Sequence, residues 1–179
     1  MSHGSTLYRF KISLSDSERD LDESLDFRLS RQASESVDYL LTRVLAYTLS
    51  YERGLEFSGG LATPDEPSIW SRDAQGGCQL WIDIGNPSAR RMHLASKASE
   101  RVKIYTYKNP EGILIEAKGQ EIYQAQKIEV FSFDRNLISG LEGILARDNS
   151  WNVIIDQGEV IVVRGEDSFM SPILSHRLK

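Results

Sequence analysis

Leu80-Trp81-Ile82-Asp83-Ile84 is followed directly by Gly85-Asn86-Pro87. Apolar residues occupy both alternation faces of this short run, and a turn signal closes it, which is the pattern of a central strand covered on both sides. Asp83 is the exception. It shares a face with Trp81, opposite Leu80, Ile82 and Ile84. A buried carboxylate is costly unless a cation, a metal or a hydrogen-bond donor compensates it, so Asp83 is the first candidate site residue.

Working outward, residues 88–99 read as a helix and residues 102–107, V-K-I-Y-T-Y, as a second strand. The two strands are parallel if the helix is a crossover. Before the opening stretch, residues 62–77 are rich in Pro, Asp, Ser and Gly and read as irregular. Residues 34–51 carry Val37, Leu40, Leu41, Val44, Leu45 and Thr48 on one helical side, with Ser34 placed to cap the first turn. Residues 6–14 alternate strictly, with Tyr8, Phe10, Ile12 and Leu14 against Arg9, Lys11 and Ser13. Residues 24–30 repeat the pattern across an acidic connector, so an opening hairpin with a long polar turn is expected. Downstream come a short helix at 111–118, a strand at 128–133, a helix at 135–146 and a hairpin over 151–163, with residues 165–179 as an irregular tail. The predicted fold is α/β, a mixed central sheet flanked by helices in a single domain over residues 1–179.

Composition agrees with a globular chain. The 179 residues are 40% apolar and 26% charged, with a net charge of −5. That total argues against broad coating of nucleic acid or membrane. The segment 90–118 is different: it holds seven basic and three acidic residues, a local excess of four positive charges. A single cysteine, Cys78, cannot form an internal disulfide, and with no leader visible at the start a cytoplasmic, reducing location is the expectation. No apolar run suggests a membrane span. His3, His93 and His176 lack metal-ligand spacing, and no nucleophile elbow, P-loop or dinucleotide fingerprint occurs.

A second acidic point is Asp65-Glu66, held between Pro64 and Pro67. An acidic residue after Pro, then a second one 18 positions later near the end of an apolar strand, resembles the PD-(D/E)XK nuclease pattern. There, paired carboxylates bind a divalent metal and a lysine helps activate water. The sequence departs from it at the lysine: two positions after Asp83 stands Gly85. More specifically, the chain resembles the YaeQ family of small bacterial proteins, usually described as uncharacterised. The pieces that carry the resemblance are A-S-E-S at 33–36, A-Y at 46–47, E-R-G-L-E-F at 52–57, D-E-P at 65–67, L-W-I-D-I-G at 80–85, P-x-x-R-R at 87–91 and I-Y-T-Y at 104–107. The resemblance implies a PD-(D/E)XK-like fold with a degenerate motif.

On that basis Glu35, Asp65 and Asp83 occupy the acidic positions, with Glu66 as an alternative to Asp65. Asp65 and Asp83 would hold Mg²⁺. Arg90, Arg91 and Lys97 are the basic groups that could replace the missing lysine, Lys97 having the better proton chemistry and Arg91 the better phosphate chemistry. Two functions stay open: a Mg²⁺-dependent phosphodiesterase acting on nucleic acid, and a catalytically inactive nuclease-like module that binds nucleic acid or a protein partner. Each residue also has a structural role available: Glu35 as a first-turn charge, Asp65-Glu66 as turn residues, Asp83 as a helix cap or partner of Arg90, and the cations as a solvated helix face.

Overall fold

The computed structural model describes residues 4–58 and 65–178. These fall into two compact units: residues within 1–41 and 133–173 form one, and residues within 42–132 and 174–179 the other. Each has its own sheet, so the strands expected in one central sheet are divided between two. The apolar pattern tells which faces of a strand are buried, but not which strand it pairs with.

The first unit contains β1 (Thr6–Asp16), β2 (Leu21–Arg31), α4 (Arg135–Ile144), β8 (Asp148–Asp156), β9 (Glu159–Arg164) and β10 (Asp167–Pro172). Its strand order is β10-β9-β8-β1-β2. β1 runs antiparallel to β2 and parallel to β8, far along the chain. Phe10, Ile12 and Leu14 of β1 are buried and Lys11 and Ser13 exposed, as the alternation predicts. The hairpin turn is shorter than expected, only residues 17–20. The reason is Asp16, whose buried carboxylate accepts from the Glu18 and Arg19 amides and from Arg19 Nε. With that charge satisfied inside the turn, the ladder runs to its last residue. Leu137, Ile138, Leu141 and Ile144 bury one stripe of α4, and the Asp134 amide before it bonds Ser171 Oγ at 2.8 Å.

The second unit contains β3 (Glu56–Phe57), β4 (Ile69–Arg72), β5 (Cys78–Ile84), α2 (Ala89–Ala98), β6 (Ser99–Thr106), α3 (Glu111–Ala117), β7 (Ile128–Ser132) and β11 (Leu174–Arg177). Its order is β11-β7-β6-β5-β4-β3. β5, β6 and β7 are mutually parallel, and α2 is the crossover expected between the first two. Trp81, Met92, Ala95, Val102, Ile104, Ile113, Ile128 and Val130 form the core between the sheet and its helices. Helix α1 (Val37–Leu49) starts in the first unit and ends in the second. It is capped by Ser36 rather than Ser34: Ser36 Oγ accepts from the Tyr39 amide at 3.1 Å.

Two segments depart from the expectation of irregularity. Residues 69–72 form β4, and the 165–179 tail holds β10 and β11. Their sequences, I-W-S-R, D-S-F-M-S-P and L-S-H-R, do not alternate apolar with polar, and ladder bonds to neighbouring strands hold them in place. Positions 62–64 of the stretch expected to be irregular, Pro64 included, lie outside the described residues. No helix among the described residues is long and apolar enough to cross a membrane.

Candidate functional site

β5 ends at Ile84, and the Gly85-Asn86-Pro87 turn leads into α2. The Gly85 amide bonds the Tyr105 carbonyl at 2.8 Å, while Asn86 accepts from Thr106 Oγ1 at 2.6 Å and donates to the Asn109 carbonyl at 3.0 Å. The turn is therefore tied to the end of β6 and aims the helix back over the sheet. Ser88 caps α2 by accepting from the Arg91 amide at 3.2 Å. The expected capping role for Asp83 thus belongs to Ser88.

Asp83 instead meets Arg91, not Arg90. Arg91 Nε donates to Oδ2 at 2.9 Å and Nη2 to Oδ1 at 3.0 Å, a bidentate fork that occupies both carboxylate oxygens. The Asp83 side chain is 6% exposed and that of Arg91 28%. Arg91 Nη2 also donates to the Glu66 backbone carbonyl at 2.6 Å, and the guanidinium lies 5.4 Å from the Trp81 ring centroid. One cation thereby joins strand β5, helix α2 and the segment before β4. Trp81 and Asp83 share a face, as alternation predicts, and the indole supplies an apolar wall for the pair.

The remaining candidates are placed as follows. Asp65 is exposed and Glu66 half-buried. Glu35 is buried, precedes α1 in the first unit, and its carbonyl accepts from Arg31 Nη1 at 2.7 Å. Arg90 and Lys97 are exposed on α2, one stripe apart by seven residues. Lys97 does not reach Asp83. Helix α2 runs back along the sheet, so its last turn sits beside Gly77 and Cys78, at the opposite end of β5. Five strand residues separate those ends, about 17 Å. Lys97 borders an open polar depression of about 520 Å³ there, with Asp73, Glu100, Tyr123 and Lys127. Lys127 Nζ holds the Ser99 carbonyl at 2.7 Å and so neutralises the end of α2.

The expected Mg²⁺ finds no fitting donor set. Both Asp83 oxygens are held by Arg91, and among the described residues no three His, Cys, Asp or Glu side chains converge. The position where the nuclease pattern carries lysine has a backbone conformation that favours glycine. Gly85 has φ +90°, in the left-handed region, and stands beyond the end of the strand. Gly85→Lys is expected to lower the unfolding free energy by about 1–2 kcal/mol through backbone strain, read by urea denaturation. A stability equal to the parent chain's would show that the turn relaxes freely.

One cluster was not visible in the sequence. Glu52 Oε1 accepts from Ser71 Oγ at 2.9 Å and Arg101 Nη2 at 2.8 Å, on the sheet face opposite Asp83. Burial pushes the Glu52 carboxyl up, but the bonds from Arg101 and Ser71 and the charges of Arg101 and Lys103 outweigh it and hold the group below its ordinary value. The E-R-G-L-E-F string carried this glutamate, but no local spacing connects positions 52, 71 and 101. Cys78 behaves as the small core-edge residue expected: burial pushes its thiol up to about 11.

A sequence model of the family described as "YaeQ protein" matches residues 1–172. The chain belongs to the YaeQ family. It is 34% identical over 109 residues to the "Uncharacterized protein YaeQ" of Escherichia coli K12. It is 30% identical over 107 residues to the protein of the same description from Salmonella typhi. Each match covers 60% of this chain and 59% of the relative's length. The crystal structure of the YaeQ protein from Xanthomonas axonopodis pv. citri matches with a TM-score of 0.89 at 27% identity, over 98% of this chain and 100% of that one. The YaeQ protein from Pseudomonas syringae gives 0.85 at 25% identity, over 96% and 95%. The YaeQ architecture thus extends over nearly the whole chain.

Proposed function

We propose that the six-stranded unit is a PD-(D/E)XK-like module that binds nucleic acid without cleaving it. The observation that carries this reading is the fork between Arg91 and Asp83. A metal compensates a buried carboxylate whose charge is otherwise unpaired, and here one guanidinium already neutralises Asp83 through both oxygens. The aspartate has become the anchor of a structural cation. Contact with phosphate then passes to the exposed stripe Arg90 and Lys97 on α2, within the positively charged segment 90–118. Seven helical residues place the two cations about 10 Å apart along the axis, a spacing a flexible phosphate backbone can follow.

The test uses labelled single- and double-stranded DNA and RNA, with and without Mg²⁺. Binding is expected with at least one of these, unaffected in length by incubation and weakening steeply with salt. Arg90→Ala with Lys97→Ala should flatten the salt dependence by about 0.7–0.9 per lost phosphate contact. Mg²⁺-dependent cleavage that disappears in Asp83→Asn would restore the hydrolase reading. Absence of binding to all four probes would remove nucleic acid as the partner.

A further inference from the structure

Strand β2 is an edge of the five-stranded sheet, with β1 on one side and no strand on the other among the described residues. Edge strands are normally short, bulged, or broken by Pro or Lys. β2 has 11 residues, neither Pro nor Lys, and an unbroken register against β1 from Leu21 to Arg31. Its charges are sorted along its length. Asp22, Glu23 and Asp26 come first, Arg28 and Arg31 last. Such a strand is complementary to itself when reversed.

We propose that β2 pairs antiparallel with β2 of a second copy of this chain, about a two-fold axis at Phe27. In that register Asp26 lies opposite Arg28 on the outer face, and Glu23 opposite Arg31 on the inner face. Leu25 meets Leu29, and Ser24 meets Ser30. Phe27, half-buried and stacked on Phe10 with centroids 5.5 Å apart, meets its own copy and extends the aromatic row. A slip of one residue in both chains loses this match: it sets Asp26 against Asp26 in one direction and Arg28 against Arg28 in the other. Registers of the opposite parity fail because only alternate residues point their backbone groups outward.

Arg31 ends the strand. It donates Nη1 to the Glu35 carbonyl, but its buried Nε has no hydrogen-bond partner among the described residues. That Nε is covered by the chain itself, so the pairing reaches Arg31 only as a charge, with Glu23 of the second copy coming opposite its guanidinium. The result is one continuous sheet through both copies, closed by symmetry so that it does not propagate.

Sedimentation equilibrium of the full chain should show a concentration-dependent dimer of twice the 20.2 kDa chain mass. Arg28→Asp faces Asp26 with aspartate, and Asp26→Arg faces Arg28 with arginine. Each variant alone should raise the dimer dissociation constant about tenfold or more, while an equimolar mixture of the two should form the heterodimer. Asp26 also holds Arg9 within the chain, so circular dichroism accompanies each variant. Hydrogen exchange of the β2 amides in the unmodified chain, slowing as concentration rises, gives a readout that needs no variant. A chain that stays monomeric up to about 1 mM, or a dimer indifferent to Arg28→Asp, overturns the proposal. Neither result depends on nucleic-acid binding.

Discussion

Replacing Arg91 with alanine is expected to lower the unfolding free energy by about 3 kcal/mol, measured by urea denaturation. Asp83 sits on the covered face of β5, and its side chain is 6% exposed. Without the guanidinium its charge would remain in the core margin with both oxygens unpaired, and stranding one member of a buried pair typically costs about 3–5 kcal/mol. The lower end applies because Arg91 itself is 28% exposed and solvent already screens part of the pair. The asymmetry is a sharper test than the magnitude. Asp83→Ala leaves a guanidinium that can turn toward water, so about 1–2 kcal/mol is expected. Asp83→Leu combined with Arg91→Met should recover most of the loss, since an apolar pair of similar volume removes the desolvation cost of both ions. A further comparison separates the two functional readings. If Asp83 served a metal in the working protein, Arg91→Ala would free its oxygens and Mg²⁺ would restabilise the variant. The fork as an end in itself predicts no response to Mg²⁺.

Phe10→Ala is expected to be at least as damaging in the other unit, by about 3–5 kcal/mol. Phe10 is 0% exposed at the middle of the β2-β1-β8 ladder. Its ring stacks on Phe27 at 5.5 Å and meets Trp151 edge-on at 5.3 Å. Truncation therefore removes these contacts, and a more distant one with Tyr8, as well as buried area, and leaves a cavity under a sheet face that the ladder keeps from collapsing. Phe10→Leu, which keeps most of the volume, should cost less than half as much. Equal losses for Ala and Leu would mean that ring geometry, not volume, sets the stability of this core.

The parts of this molecule that were legible in the sequence are those set by local chemistry. The apolar run at Leu80–Ile84 had to be a covered strand. Residues 88–99 read as a helix, found as Ala89–Ala98 with Ser88 as its cap, and a helix after a buried strand suits the parallel crossover observed. The alternation of β1 announced which of its residues are buried, and the tension of a carboxylate inside an apolar strand pointed to Asp83. Family membership was also readable, because short strings scattered from residue 33 to residue 107 agree with one family at once.

The choice of partner was not legible. Asp83 needed a cation, and Arg90 and Arg91 stood side by side; only the rotation of α2 over the sheet turns Arg91 inward and Arg90 to solvent. Lys97 kept the right chemistry on paper, but the direction of the crossover carries it to the far end of β5. The division of the strands into two sheets, the pairing of β1 with β8, and the meeting of Glu52, Ser71 and Arg101 all join positions far apart in the chain. Periodicity and propensity act over a few residues. Pairing across the chain is decided by which buried faces and unpaired backbone groups can be satisfied together, and that is a property of the whole packed structure.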